Sequence, residues 1–110
     1  MKFFISLPMN GVEDETVKQN LNIAKKLIRE QFGEAEIIDG FIEEDRPKEA
    51  GRLWYLGRSI QMLGTADAVV FMPGWKKANG CLIEYETARL YGITRLRAEK
   101  EGSVWRLKRF

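Results

Sequence analysis

Two short apolar runs, residues 3–6 (FFIS) and 67–72 (DAVVFM), constrain the fold of this chain more than any other feature. Both are rich in β-branched or aromatic side chains and are bounded by residues that favour turns. An almost continuous apolar run of this length is typical of a strand that is covered on both faces, as in a parallel sheet. A weaker run at 35–39 (AEIID), between two glycines, predicts a third strand.

Helical periodicity fills the intervals between these strands. Apolar residues spaced along one helix face, each series followed by a glycine, predict helices over residues 14–31, 49–63 and 80–91. Alternating hydropathy on both sides of a Lys-Glu-Gly turn predicts a C-terminal hairpin. This order predicts an α/β fold, a three-layer Rossmann-like sandwich with a mostly parallel four-stranded sheet. We assign residues 1–97 to that domain and 98–110 to a basic extension packed on it.

The composition excludes several kinds of chemistry. The 110 residues suffice for one core, and they include no histidine and a single cysteine, Cys81. A zinc site, a histidine-dependent triad and an internal disulfide are therefore not expected, and we predict no metal and no cofactor. The single cysteine favours a reducing, cytoplasmic location. The first apolar run is too short for a signal peptide or a membrane span, so no membrane partner is predicted.

The third predicted helix carries a carboxylate, Glu84, on its inward side. On a helical wheel it lies beside Ala88 and Tyr91, whereas Glu86 and Arg89 share a solvent-facing direction. We expect Glu84 near the carboxyl ends of the strands, where such sheets bind ligands. The dipole at the helix start would oppose a burial-driven rise of its pKa and keep it ionised. Such a carboxylate suits attack on a sugar anomeric carbon; the structural alternative is an ion pair or a backbone cap.

Three motifs in order along the chain resemble the nucleoside 2-deoxyribosyltransferase-like superfamily, especially its small, uncharacterised bacterial and phage branch. They are Ser6-Leu7-Pro8-Met9, Pro73-Gly74-Trp75, and Gly80, Glu84 and Ala88 at the start of the third helix. The resemblance covers residues 1–93. It implies cleavage or exchange of the N-glycosidic bond of a nucleoside or deoxynucleotide. The glutamate at 84 would form a covalent glycosyl-enzyme, which water or a second base resolves.

The same resemblance implies a set of substrate-binding residues. The loops after the first strand and before the glutamate would hold the sugar and any phosphate through Ser6, Met9, Asn10, Gly11, Trp75, Asn79 and Gly80. If the second helix lines the cleft, Tyr55 and Arg58 would reach the sugar, and Arg58 could hold a phosphate. Trp75 could stack on a base or instead pack over the end of the sheet.

Two positions depart from the pattern of active members. An aspartate that positions the sugar and the leaving base is replaced by Ser59, eight residues before Asp67, and a phosphate-binding serine is replaced by Ala78. A hydroxyl cannot supply the charge of a carboxylate or share a proton as a carboxylate does. A catalytically silent nucleotide-binding module of the same fold is therefore an alternative. Asp67 itself lies at the amino end of its strand, and we expect it to be structural.

The partners follow from charge and from the aromatic second helix. Residues 94–110 hold six basic side chains against two acidic ones, although the whole chain has a formal charge of only +2. A nucleic-acid-associated accessory role for this tail is the third alternative, and an exposed edge strand protected by charge is the favoured explanation. Nucleic acid is the least favoured partner, because the rest of the chain is nearly neutral. We also predict a homodimer, with Trp54 and Tyr55 in the core or at the interface. The charged segment 43–52 could be a lid or a plain surface loop.

Overall fold

The structure is a computed structural model that describes residues 1–38 and 48–110. Its elements, in chain order, are β1 (Lys2–Ser6), α1 (Asp14–Phe32), β2 (Glu36–Ile38), α2 (Arg52–Leu63), β3 (Ala68–Phe71), a single 3-10 turn (Trp75–Lys77), α3 (Asn79–Leu90), β4 (Thr94–Glu101) and β5 (Val104–Arg109). The predicted alternation of strands and helices is confirmed. Residues 43–47 of the charged segment considered as a lid lie outside the described residues.

The five strands form one sheet in the order β2-β1-β3-β4-β5. The first four are parallel, and β5 runs antiparallel to β4. This confirms the mostly parallel Rossmann-like sheet with a C-terminal hairpin. One strand, β4, serves as both the last parallel strand and the first arm of the hairpin, so it runs unbroken across the boundary placed at residue 97.

The central strands are buried on both faces, as their apolar runs predict. Alternate residues divide between two clusters, because successive side chains of a strand point to opposite faces. Phe3, Ile5 and Val70 pack with the apolar stripe of α1 on one face. On the other face Phe4, Val69 and Phe71 pack with residues of α2, α3 and the loops that join them to the sheet. The crossovers are right-handed and lead to strands on opposite sides of β1, so α1 lies on one face of the sheet and α2 and α3 lie on the other.

The observed ends of the helices and strands decide two predictions about single residues. Because α3 ends at Leu90, Tyr91 lies outside the helix and is 79% exposed, so its predicted place beside Glu84 is wrong. Asp67 is structural, as predicted: its Oδ2 accepts from the backbone N–H of Lys2 at 2.6 Å, and its own N–H donates to the Lys2 carbonyl. Within the described ranges, no helix is long and apolar enough to cross a membrane.

Candidate functional site

The candidate site lies where β1 and β3 end side by side. From β1 the chain moves to β2 on one side of the sheet and then crosses to β3 on the other, so the two following loops diverge at this point. In open α/β sheets, ligands bind in the crevice at such a reversal, beyond the carboxyl ends of the strands. The loops touch at their bases: a Cβ on Gly74, whose φ is +90°, would lie 3.3 Å from Cγ of Pro8.

Glu84 reaches this point from α3 and meets the last residue of β1. The Ser6 hydroxyl donates a hydrogen bond to Oε1 of Glu84 at 2.8 Å, joining residues 78 positions apart. Ser6 is fully buried. Glu84 is 7% exposed to solvent, so its side chain is neither turned out to bulk water nor completely enclosed. The inward direction predicted for Glu84 is confirmed. On the outer side of the helix, Arg89 pairs with Glu86 at 2.7 Å.

Burial raises the pKa of Glu84 to about 7, and the hydrogen bond from Ser6 opposes that rise. The prediction that the helix start would hold the pKa down is therefore wrong. Glu84 is the sixth residue of α3, and the effect of a helix dipole on a charge fades beyond the first turn. Desolvation decides the outcome, because a nearly buried carboxylate loses most of its contact with water.

The thiol of Cys81 lies one turn before Glu84, on the same side of α3. Burial raises its pKa to about 11, a hydrogen bond with Ser6 opposes that rise, and the charge of Glu84 adds to it. Cys81 is therefore a neutral thiol at physiological pH, and it is buried in the packing of α3. The sequence did not reveal that Ser6 would contact both Cys81 and Glu84, because only the packing of α3 against the end of β1 brings them together.

The other residues predicted to bind the substrate, which lie in the two loops and at the start of α3, differ in exposure. Met9 is 45% exposed, and Asn10 and Gly11 are also at the surface. Asn79 is exposed at the start of α3. Gly80 is half-buried, and a Cβ there would meet Cδ1 of Leu56 at 3.9 Å, so α2 lies directly beside the first turn of α3. Contact of these residues with a substrate stays a prediction.

Trp75 packs over the end of the sheet. It stacks on Tyr85, with ring centroids 4.8 Å apart and planes inclined by 22°, and it also contacts Phe71. Phe110 approaches both Trp75 and Tyr85 edge-on. We call these four rings the aromatic cluster. Of the two alternatives for Trp75, packing describes its position in this structure; stacking on a base stays a prediction.

The α2 residues predicted near the cleft are all half-buried. Arg58 donates through Nη1 to Gln61 at 2.8 Å, so its described hydrogen bond stays within the helix. Tyr55 lies edge-on to Trp54, with centroids 5.1 Å apart. Ser59 occupies the position of the missing aspartate on the same helix. Among residues 1–38 and 48–110, no group of three or more acidic or cysteine side chains could hold a metal ion.

The arrangement can hold one carboxyl group that changes protonation near neutral pH, fixed through one of its oxygens by a buried hydroxyl.

Comparison with known proteins adds a family. Residues 1–95 match the family model described as "Domain of unknown function (DUF4406)". No curated protein and no solved structure matches the chain.

Proposed function

The chain belongs to the DUF4406 family, and we propose that it is an N-glycosidase or 2-deoxyribosyltransferase that acts on a nucleoside or deoxynucleotide through Glu84. The observation that carries this proposal is the buried hydrogen bond between Ser6 and Glu84 at the reversal point of the sheet. That point is where a small ligand is expected in such folds. The resemblance of the three motifs to the deoxyribosyltransferase-like superfamily supplies the reaction class.

In the proposed reaction, the Glu84 carboxylate attacks the anomeric carbon of the sugar. A carbon–oxygen bond forms as the carbon–nitrogen bond breaks, and the bonding pair leaves with the base, which takes up a proton. Water, or the nitrogen of a second base, then attacks the same carbon and releases the carboxylate; it gives up one proton to the solvent, which balances the proton that the first base takes from the solvent. Ser6 holds Oε1 of Glu84, which leaves Oε2 to act as the nucleophile.

The protonation state of Glu84 sets the pH at which this chemistry runs. Only the ionised form can attack, and its pKa is about 7. Turnover should therefore increase as the pH rises from 6 to 8. A neutral Glu84 would be silent, so an activity maximum well below pH 6 would contradict the assignment of Glu84 as the nucleophile.

A silent nucleotide-binding module of the same fold is the second candidate, and one observation favours it. The N-cap of α3 is Ala78, and no side-chain hydrogen bond caps this helix start among the described residues. Backbone N–H groups in the first turn of a helix lack partners within the helix and can bind an anionic group such as a phosphate. With Ser59 in place of the superfamily aspartate and Glu84 nearly buried, binding could persist where turnover is lost.

One experiment separates the two candidates. The protein is incubated with each deoxynucleoside and each 5′-monophosphate between pH 6 and pH 9, and free base is measured by chromatography. We expect base release that Glu84→Gln abolishes. Glu86→Gln, the matched control on the exposed side of the same helix, should retain it. Absence of release from every substrate at high enzyme concentration would overturn the glycosidase, and calorimetric binding without turnover would then support the silent module.

We propose a homodimer formed through α2. Leu53 on this helix is 79% exposed, Trp54 and Tyr55 are only half-buried, and Leu63 is the one α2 residue in the core. An exposed leucine next to partly exposed aromatic side chains is typical of a subunit interface. Leu53→Asp should lower the molar mass measured by light scattering, whereas Val104→Asp on the hairpin should leave it unchanged. Cytoplasmic location is part of the same proposal, because the single cysteine suits a reducing compartment.

A further inference from the structure

A groove of about 310 Å³ lies away from Glu84, where the end of α3 meets the start of β4 and the end of β5. Its lining includes Arg89, Gly92, Thr94, Arg95, Arg109 and Phe110. Thr94 begins β4, so the groove opens at the amino ends of the parallel strands, whereas Ser6 ends β1 at their carboxyl ends. Its volume is at the lower end of the range found for small-molecule sites.

The groove carries an excess of positive charge. Three of its lining side chains are arginines, and the carboxylate beside it, Glu86, is held by Arg89 through contacts of 3.0 Å and 2.7 Å. The guanidinium of Arg95 lies 4.7 Å from the ring centre of Tyr85. Its Nη1 is buried and has no hydrogen-bond partner in the described part of the chain. A buried donor without a partner costs free energy, so such a group in a native structure points to a partner that is not part of the chain.

One other basic residue of the hairpin, Arg97, shares this property, but its Nε faces a carboxylate. Arg97 Nε lies 2.8 Å from Glu99 as an ion pair, although it is out of line for a hydrogen bond. Lys108 contacts Glu99 at 3.3 Å and also pairs with Glu101. Glu101 further attracts Arg106 at 3.7 Å. Glu99 and Glu101 thus pair with three of the four basic residues of the hairpin outside the groove, whereas Arg95 and Arg109 form no ion pair with the described residues.

From this geometry we propose that the groove binds the phosphate monoester of a small molecule that carries a planar ring. Arg95 and Arg109 would bind the phosphate, since a guanidinium fork matches two phosphate oxygens. Phe110, which is 42% exposed at the rim, would pack against the ring. The proposed phosphate site does not include Glu84 or Ser6, although Phe110 also contacts Trp75.

Phenyl phosphate is the test probe, because it contains both groups and neither sugar nor base. The full chain, labelled with ¹⁵N, is titrated with phenyl phosphate, with inorganic phosphate and with phenol, and amide shifts are followed at Gly92, Thr94 and Phe110. We expect saturable shifts with phenyl phosphate and weaker binding of either fragment. Arg109→Gln alters an exposed residue and should weaken binding about tenfold. Arg106→Gln, which removes the same charge from the same strand outside the groove, should change it less than twofold.

Three outcomes would overturn the proposal. The first is the absence of saturable shifts with phenyl phosphate. The second is equal weakening by Arg109→Gln and Arg106→Gln, which would indicate unspecific charge attraction. The third is tighter binding of a single-stranded oligonucleotide with steep salt dependence, which would make the whole hairpin a nucleic-acid surface. Glu84→Gln should bind phenyl phosphate as tightly as the wild type, so failure of the glycosidase proposal leaves this result unaffected.

Discussion

Replacing Glu84 with glutamine should stabilise the protein above neutral pH. In the unfolded chain this carboxyl ionises at its ordinary pKa of 4.5, whereas burial raises its pKa to about 7 in the folded protein. Between these values the folded protein keeps a proton that the unfolded chain has lost, so stability falls as the pH rises. The loss of folding free energy caused by ionisation of the buried Glu84 is absent below pH 4.5 and complete above pH 7. One pKa unit corresponds to about 1.4 kcal/mol, so the full penalty is about 3 kcal/mol.

The measurement is urea unfolding, followed by tryptophan fluorescence, at pH 4.5 and pH 8.5. The stability of Glu84→Gln relative to the wild type should increase by about 3 kcal/mol between these two values. Because both proteins share every other titrating group, their difference isolates this one carboxyl. Glu86→Gln is the matched control: Arg89 lowers the pKa of the exposed Glu86, so its dependence on pH has the opposite sign. A constant stability difference between wild type and Glu84→Gln would refute the claim that the carboxyl is desolvated.

Three further predictions follow from individual contacts. Ser6→Ala removes the hydrogen bond that lowers the pKa of Glu84; the side-chain carboxyl should then titrate at a higher pH in ¹³C NMR, and a lower value would contradict the donor role of Ser6. Asp67→Ala deletes the acceptor for the Lys2 N–H and should lower the free energy of unfolding by about 1 kcal/mol in urea, whereas Asp67→Asn, which keeps an acceptor oxygen, should lose less. Phe71→Ala opens a cavity beneath Trp75 and Tyr85 and should lower the free energy of unfolding by about 3–5 kcal/mol. Leu53→Ala, at an exposed position, should lower it by less than about 0.5 kcal/mol in the isolated subunit. Similar losses from both substitutions would contradict the burial described for Phe71.

The sequence determined the features that depend on neighbours along the chain. Short apolar runs identified β1 and β3, and a spacing near 3.6 residues identified the helices and the inward side of α3 on which Glu84 lies. The position of Asp67 at the start of a strand was enough to predict a structural role. Helix ends were less accurate, because local sequence does not fix where a helix stops; Tyr91 is the example.

Only the tertiary structure decided how Glu84 behaves. Its partner, Ser6, lies 78 positions away, and its pKa depends on how completely β1, β3 and α3 exclude water from one carboxyl group. The groove beside Arg95 likewise needs the last residues of β5 to return next to β4. Hydrophobic periodicity acts over a few residues and can be read locally. Desolvation depends on every group that packs around a charge, and those groups come together only when the chain folds.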